Sequence, residues 1–155
     1  MRRPHKKVDR IKPDLKYNSK KLSKFINYIM LDGKKSVATK IVYDALDIIK
    51  EKQGGNPLVV FEQALEKVGP EMEVKSRRVG GANYQVPIPV SAERQLALAM
   101  RWIIKFVREQ KGKPTSELLA NLLIESANEE GPAVKKRIDT HKMAEANKAF
   151  AHFAW

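Results

Sequence analysis

The stretch EMEVKSRRVGGANYQVPIPV, residues 71–90, alternates in polarity on both sides of a glycine-rich centre. Such alternation is typical of β-strands, and Gly80 with Gly81 provides a tight turn between two of them. Pro87 and Pro89 donate no ladder hydrogen bonds, so the second strand cannot lie inside a larger sheet. The stretch therefore predicts a protruding β-hairpin. Because a two-stranded ribbon is only marginally stable in water, we expect a binding partner to support its outer part.

On both sides of the hairpin, the apolar residues follow the spacing of amphipathic α-helices. Three helices are predicted before it, starting near Ser19, Val37 and Pro57, and three after it, starting near Ser91, Thr115 and Ala133. The predicted fold class is mainly α: a single domain of six helices over 18–155, with one two-stranded β-hairpin at 71–90 and a flexible basic N-terminal arm at 1–17. The apolar faces predict a core that contains Leu22, Phe25, Ile29, Ile41, Leu46, Phe61, Leu65, Leu96, Met100, Ile103, Leu119 and Leu123.

The composition points to a folded protein with a polyanionic partner. The 155 residues suit one domain, and a hydrophobic share of 43% is too high for an intrinsically disordered polycation. Lys and Arg number 30 against 18 Asp and Glu, which gives a formal net charge of +12. A nucleic acid is the first partner that such a balance suggests.

This positive charge is concentrated in two blocks of the chain. Residues 1–35 carry a net charge of +9 and residues 71–113 carry +5, whereas 36–70 and 114–155 each carry −1. Charge that served only solubility would be spread more evenly. We therefore expect a surface with distinct basic faces and nearly neutral packing elements.

The side chains that catalysis and metal binding require are almost absent. The chain has no Cys and only three His, which excludes thiolate nucleophiles, disulfides, zinc fingers and iron–sulfur clusters. DGKKS at 32–36 lacks the first glycine of a phosphate-binding loop. His141 and Glu145 could provide two metal ligands, but without a third ligand they are more simply a polar surface pair. We predict no enzymatic activity, no cofactor and no metal site.

The sequence shows neither an apolar membrane-spanning segment nor a signal peptide. No apolar run reaches the length of a bilayer span, and the basic start of the chain lacks the apolar segment of a signal peptide. We expect a soluble intracellular protein.

The fourth predicted helix carries the clearest basic face. Arg94, Arg101, Lys105 and Arg108 fall within about 60° of one another on a helical wheel. The apolar stripe of the same helix lies roughly 130° away, so one face packs and the other presents a row of cations. The axial spacing of these cations, on the order of 5 to 10 Å, is comparable with the spacing of phosphates.

Further basic residues extend this candidate interface. Glycines beside the hairpin cations let backbone N–H groups approach an anion, and Tyr84 offers either a stacking surface for an unpaired base or, more simply, strand packing. Cations at the start of the last helix lie next to the positive end of its dipole, which is unfavourable within the protein alone. Their presence there suggests that they bind an external anion. The residues are Lys75, Arg77 and Arg78 in the hairpin, Lys20, Lys21, Lys24, Lys34 and Lys35 in the first two helices, and Lys135, Lys136 and Arg137 in the last.

Four stretches of the chain resemble one known family. They are LDGKKS at 31–36, VKSRRVGGANYQVP at 74–87, ALAMRWI at 97–103 and AVKKRIDTHKMAEANKAFAHFAW at 133–155. In this order and over almost the whole chain, they resemble the bacterial S-seven family of small-subunit ribosomal proteins. Where the family usually ends in Tyr-Arg-Trp, this chain has Phe153-Ala154-Trp155, which removes one C-terminal cation.

The resemblance implies a structural constituent of the cytoplasmic ribosome. Such a protein is a primary binder of 16S ribosomal RNA, nucleates assembly of the head of the 30S small subunit, and adopts a helical body with a protruding β-hairpin. Its hairpin tip, here Gly80, Gly81, Asn83 and Tyr84, lies by the exit site for transfer RNA and near messenger RNA, and its expected neighbours are the S-nine and S-eleven proteins. Its RNA surface implies contacts from Arg2, Arg3, Lys6, Lys7, Arg10, Lys20, Lys21, Lys24, Lys34, Lys35, Lys75, Arg77, Arg78, Arg94, Arg101 and Arg108.

Two other functions remain open on the residues themselves. An RNA chaperone or translational regulator that acts away from the ribosome would need the same basic surface. A DNA-binding module is less favoured, because no segment has the pattern of a helix-turn-helix with a bare recognition helix. Phosphate contacts dominate a surface of this kind and carry no base identity, so the sequence does not predict which nucleotides are bound.

Overall fold

The computed structural model describes residues 11–153, which form six α-helices, one β-hairpin and a short 3-10 helix at the C-terminal end. The mainly α fold class with a single hairpin is confirmed. In chain order the elements are α1 (Lys20–Ile29), α2 (Lys35–Gln53), α3 (Pro57–Val68), β1 (Met72–Val79), β2 (Ala82–Pro89), α4 (Ala92–Glu109), α5 (Thr115–Ala127), α6 (Gly131–Ala146) and the 3-10 helix (Lys148–Phe153).

Local sequence signals set the starts of two helices. The Ser19 hydroxyl caps α1 by accepting from the backbone N–H of Leu22 at 3.3 Å, and Asn56 caps α3 in the same manner, with Pro57 in the first turn. The sequence also suggests Thr115 or Ser116 as the cap of α5. This prediction is wrong, because both residues lie inside the helix, the N-cap position is Pro114, and no side chain makes a capping hydrogen bond there.

Ten of the twelve predicted core residues are buried, and the other two, Ile41 and Leu96, are half-buried against the core. The buried stripe of α2 runs through Val42 and Ile49. Adjacent helical positions lie about 100° apart, which leaves Ile41 at the edge of that stripe. Helix α5 packs against both α2 and α3 and lies at the centre of the body.

The hairpin forms a two-stranded antiparallel sheet with a two-residue turn. Met72 pairs with Pro89 at the base and Val79 with Ala82 at the tip. Gly80 and Gly81 both have positive φ values, 57° and 91°. Side chains with a Cβ adopt this conformation poorly, which is why two glycines close the turn. Within residues 11–153 no third strand joins the sheet.

The base of the hairpin rests on α6. The backbone N–H of Glu71 donates to Nε2 of His141 at 3.0 Å, and Val86 is fully buried. His141, considered above as a metal ligand, therefore has a structural contact. No group of three or more His, Asp or Glu that could hold a metal ion occurs in the part of the chain that the structure describes.

The sequence predicts a sixth helix with a fraying aromatic end for the last stretch of the chain, and the structure shows a second, distinct element there. Helix α6 ends at Ala146 and a 3-10 helix follows from Lys148. Side chains three residues apart eclipse each other in a 3-10 helix. This geometry brings Phe150 and Phe153 onto one side, where their ring centroids lie 5.1 and 5.3 Å from that of Tyr84. The chain itself therefore contacts the outer half of the hairpin, and support by a binding partner stays a prediction.

The C-terminal part of the predicted arm contacts α2. The hydroxyl of Tyr43 donates to Asp14 at 2.8 Å, and Lys16 forms an ion pair with Asp47 at 3.0 Å. Burial and the bond to Asp14 raise the pKa of Tyr43, and the hydrogen bond to Asp47 raises the pKa of Lys16. These contacts fix Asp14 and Lys16 to the body, so the predicted flexibility concerns only the residues before Asp14. Of those, residues 1–10 lie outside the described residues.

None of the helices within residues 11–153 is both long enough and apolar enough to cross a bilayer.

Candidate nucleic-acid interface

The basic face of α4 lies opposite its packed face. The side chains of Arg94, Arg101, Lys105 and Arg108, here called the α4 cation row, are all exposed. On the other side of the helix, Met100, Ile103 and Val107 are buried. A helix with one face in the core holds the cations of the other face at fixed spacings, which suits an extended anionic ligand.

Each cation of this row also has a contact within the protein. Arg101 lies over the ring of Tyr28, with its Cζ 5.7 Å from the ring centroid. Arg108 donates from Nη2 to the backbone carbonyl of Ile29 at 3.2 Å. Lys105 lies 3.6 Å from a carboxylate oxygen of Glu109, one turn along the same helix.

Arg94, the first member of the row, joins α4 to the hairpin. Its Nη2 lies 3.1 Å from Oε2 of Glu73, while Nζ of Lys75 lies 3.8 Å from the other carboxylate oxygen of the same residue. Glu73 thus stands between two predicted RNA-binding cations. This arrangement brings the α4 cation row and the base of the hairpin side by side, with one shared carboxylate between them.

The three hairpin cations do not share one face. Cross-strand pairs point to the same side of a sheet, and successive residues point to opposite sides. Arg77 pairs with Tyr84, whose ring contacts the 3-10 helix, whereas Arg78 pairs with Asn83 on the other side. Arg77 is half-buried and Arg78 is exposed.

The remaining predicted cations of the described residues lie on α1, on the turn that follows it, at the start of α2 and on α6. Lys21 forms an ion pair with Glu62 at 3.2 Å, and Lys34 lies 4.0 Å from Asp32. Lys24 is half-buried, while Lys20 and Lys35 are exposed. On α6, Lys135 is exposed, and Lys136 and Arg137 are half-buried.

A surface carboxylate lies near the start of α6. Glu129 pairs with Lys67, and this hydrogen bond lowers the pKa of the Glu129 carboxyl, with a smaller contribution from the charge of Arg137. The Glu129 carboxylate is thus an anion of the protein itself at the start of α6, close to Lys135, Lys136 and Arg137.

The hairpin tip leaves its polar groups open to solvent. Gly80, Gly81 and Asn83 are exposed, and Tyr84 is half-buried. The interpretation of Tyr84 as a packing residue agrees with its contacts to the two phenylalanine rings. Arg2, Arg3, Lys6, Lys7, Arg10 and the terminal Ala154 and Trp155 lie outside the described residues.

Sequence reasoning missed two side chains of this surface. Tyr28 lies one helical turn after Lys24 and seven residues after Lys21, so the helical spacing alone would have placed it on the same basic face. Glu73 gave no such signal, because its pairing with Arg94 depends on how the hairpin docks against α4.

Comparisons with known proteins give a consistent result. The family model described as ribosomal protein S7p/S5e matches residues 1–148. The chain is 56% identical over 154 residues to the small ribosomal subunit protein uS7 of Thermoanaerobacter sp. (strain X514), which covers 99% of each chain. It is 59% identical over 143 residues to the uS7 protein of Pelotomaculum thermopropionicum, which covers 92% of each. The uS7 protein of Moorella thermoacetica is 59% identical over 139 residues, which is 90% of this chain and 89% of the relative.

Proposed function

Because this chain belongs to the ribosomal protein S7p/S5e family, we propose that it is a structural constituent of the small ribosomal subunit in the cytoplasm and binds 16S ribosomal RNA directly. The similarity to uS7 proteins over 99% of the chain is the observation that carries this proposal. As a ribosomal protein, the chain is proposed to act by binding and not by catalysis.

The proposed RNA site consists of the α4 cation row together with the base of the hairpin. Arg94 connects the two through Glu73, so one RNA segment would contact both. The formal net charge of +12 favours association with an RNA backbone, and the release of counterions makes such binding depend on salt.

Binding to isolated 16S ribosomal RNA tests this site. The purified protein should bind the RNA in the absence of other ribosomal proteins, and the logarithm of its affinity should fall linearly with the logarithm of the salt concentration. An unrelated structured RNA of equal length is the control. Equal affinity for both RNAs would contradict a specific ribosomal site.

We further propose that the chain binds early and nucleates assembly of the 30S head. In stepwise reconstitution it should join naked 16S RNA first and allow other head proteins to follow. The alternative, an RNA chaperone or regulator that acts away from the ribosome, predicts that the protein dissociates from 30S particles washed at high salt. Co-sedimentation after such a wash supports the ribosomal role.

The basic arm is proposed to lie along RNA phosphates. Residues 2–10 contain five of its cations, Arg2, Arg3, Lys6, Lys7 and Arg10. Deleting them should reduce the slope of log affinity against log salt by about 3.5 to 4.5 units, since each phosphate contact contributes roughly 0.7 to 0.9. The deletion stops before Asp14, because Asp14 and Lys16 contact α2 and their loss would alter the body. An unchanged slope would place the arm away from RNA.

The hairpin tip is proposed to lie near exit-site transfer RNA and messenger RNA, with the S-nine and S-eleven proteins as neighbours. A photo-crosslinking residue in place of the exposed Asn83 should label these molecules in assembled particles. The same residue in place of the exposed Glu51, at the end of α2, is the control. Labelling from Glu51 but not from Asn83 would contradict this placement.

A further inference from the structure

A cleft of about 350 Å³ lies between α1 and α4 on the basic side of the molecule. Tyr28 and the almost completely buried Ile104 contribute its apolar lining. Arg101, Lys105 and Arg108, together with Glu109, line the rest. The cleft therefore combines an aromatic ring, an apolar surface and three cations, whereas a surface that bound phosphates alone would need only the cations.

Tyr28 and Arg101 are in contact at this cleft. The Arg101 Cζ lies 5.7 Å from the ring centroid of Tyr28, within the range of a cation–π contact. Arg101 is nevertheless exposed, and Tyr28 is half-buried. The ring holds the long arginine side chain near one position, while the pair stays accessible from solvent.

Arg108 fixes the two helices beside this pair. The last turn of α1 contains no basic residue of its own, and its carbonyl groups have no further helical partners. Nη2 of Arg108 donates to the carbonyl of Ile29, the residue next to Tyr28, at 3.2 Å. This bond from α4 to the end of α1 keeps Tyr28 and Arg101 together.

We propose that this cleft is a binding site for one unpaired nucleobase, which stacks on the Tyr28–Arg101 pair while an adjoining phosphate lies against Lys105. Aromatic rings and guanidinium planes are the surfaces on which proteins stack unpaired RNA bases. Lys105 is exposed one helical turn after Arg101 and provides a compact charge for the phosphate. The inference rests on the proposed function, because it identifies what part of the RNA the basic surface recognises.

The test compares the loss of stacking with the loss of charge. Tyr28→Leu should weaken binding to 16S ribosomal RNA by roughly 5- to 150-fold without changing the slope of log affinity against log salt. Tyr28→Phe keeps the ring and should bind within about twofold of the wild type. Arg101→Lys keeps the charge but loses the plane, so it should also weaken binding with an unchanged slope.

Phe106→Leu is the matched control, since Phe106 is a half-buried aromatic residue of α4 that does not line the cleft. Equal weakening by Phe106→Leu and Tyr28→Leu would overturn the proposal, because the effect would then come from helix packing. Wild-type affinity in both Tyr28→Leu and Arg101→Lys would also overturn it. Arg101→Lys changes an exposed side chain and keeps the test valid if Tyr28→Leu does not fold. Failure of the wild type itself to prefer 16S RNA would instead contradict the proposed function.

Discussion

Helix α4 and the β-hairpin both present cations of the candidate interface, but they are supported in different ways. The α4 cation row stands on a helix whose own opposite face, with Met100 and Ile103, is fully buried. The cations of the hairpin stand on two strands that are held mainly by distant parts of the chain, through His141 at the base and Phe150 farther out. Support from within one element can be seen in its sequence spacing, whereas support from a distant element cannot.

The largest effect is expected from the packed face of α4. Ile103→Ala removes most of a fully buried side chain, so it should lower the free energy of unfolding by about 2 to 5 kcal/mol. Chemical denaturation monitored by circular dichroism would measure it. RNA affinity per folded molecule should stay unchanged. A loss below about 0.5 kcal/mol, the range of ordinary surface substitutions, would contradict the assignment of this face to the core.

The exposed face of α4 should show the reverse. Arg101→Ala removes a charged contact and should weaken RNA binding by about 1 to 3 kcal/mol. It also removes the contact to the Tyr28 ring, which at an exposed site contributes about 0.5 to 1 kcal/mol to folding. Filter binding and denaturation on the same preparation separate the two effects. If Arg101→Ala unfolds the protein while RNA affinity per folded molecule stays the same, the face is structural and not an RNA site.

The same contrast explains how much the sequence could predict. Helical spacing identified the six helices, ten buried core residues and the exposed side of α4, because the burial of each helix face depends on its own periodicity. Alternating polarity identified the two strands of the hairpin, and the glycine pair identified its turn. The contacts of Arg108 with Ile29 and of Arg94 with Glu73 could not be predicted, since each requires the relative placement of two elements.

The hairpin and α4 should also respond differently to loss of the C-terminal support. Phe150→Ala removes one ring from the contact with Tyr84, and an aromatic pair of this kind contributes about 0.5 to 1.5 kcal/mol beyond its buried area. We expect amide hydrogen exchange to accelerate in β2 and to stay unchanged in α4. Lys148→Ala, an exposed change in the same 3-10 helix, is the control. Equal acceleration in α4 would show that the hairpin and the body unfold as one unit.

The smallest effect is expected where the two regions meet. The Arg94–Glu73 pair spans α4 and β1 at 3.1 Å, and the Arg94 side chain is 45% exposed while that of Glu73 is 14% exposed. Pairs that water reaches on one side contribute about 0.2 to 1 kcal/mol. A double-mutant cycle with Glu73→Gln and Arg94→Gln, measured by denaturation, should give a coupling energy in this range. A coupling above about 2 kcal/mol would mean that α4 and the hairpin form one rigid unit, which would remove the contrast between them.

The Glu73→Gln variant also has an expected effect on RNA binding, with the opposite sign to the other variants. Its carboxylate lies beside both Arg94 and Lys75 and neutralises part of their charge. Without the carboxylate, both cations face the RNA uncompensated, so affinity should rise slightly and the salt slope should steepen by up to about one unit. Glu117→Gln, which alters a carboxylate of α5 that pairs with Lys113, is the control and should change neither quantity. Weaker binding by Glu73→Gln would show that Glu73 orients Arg94 for RNA, so that the hairpin contributes to recognition by positioning a residue of α4.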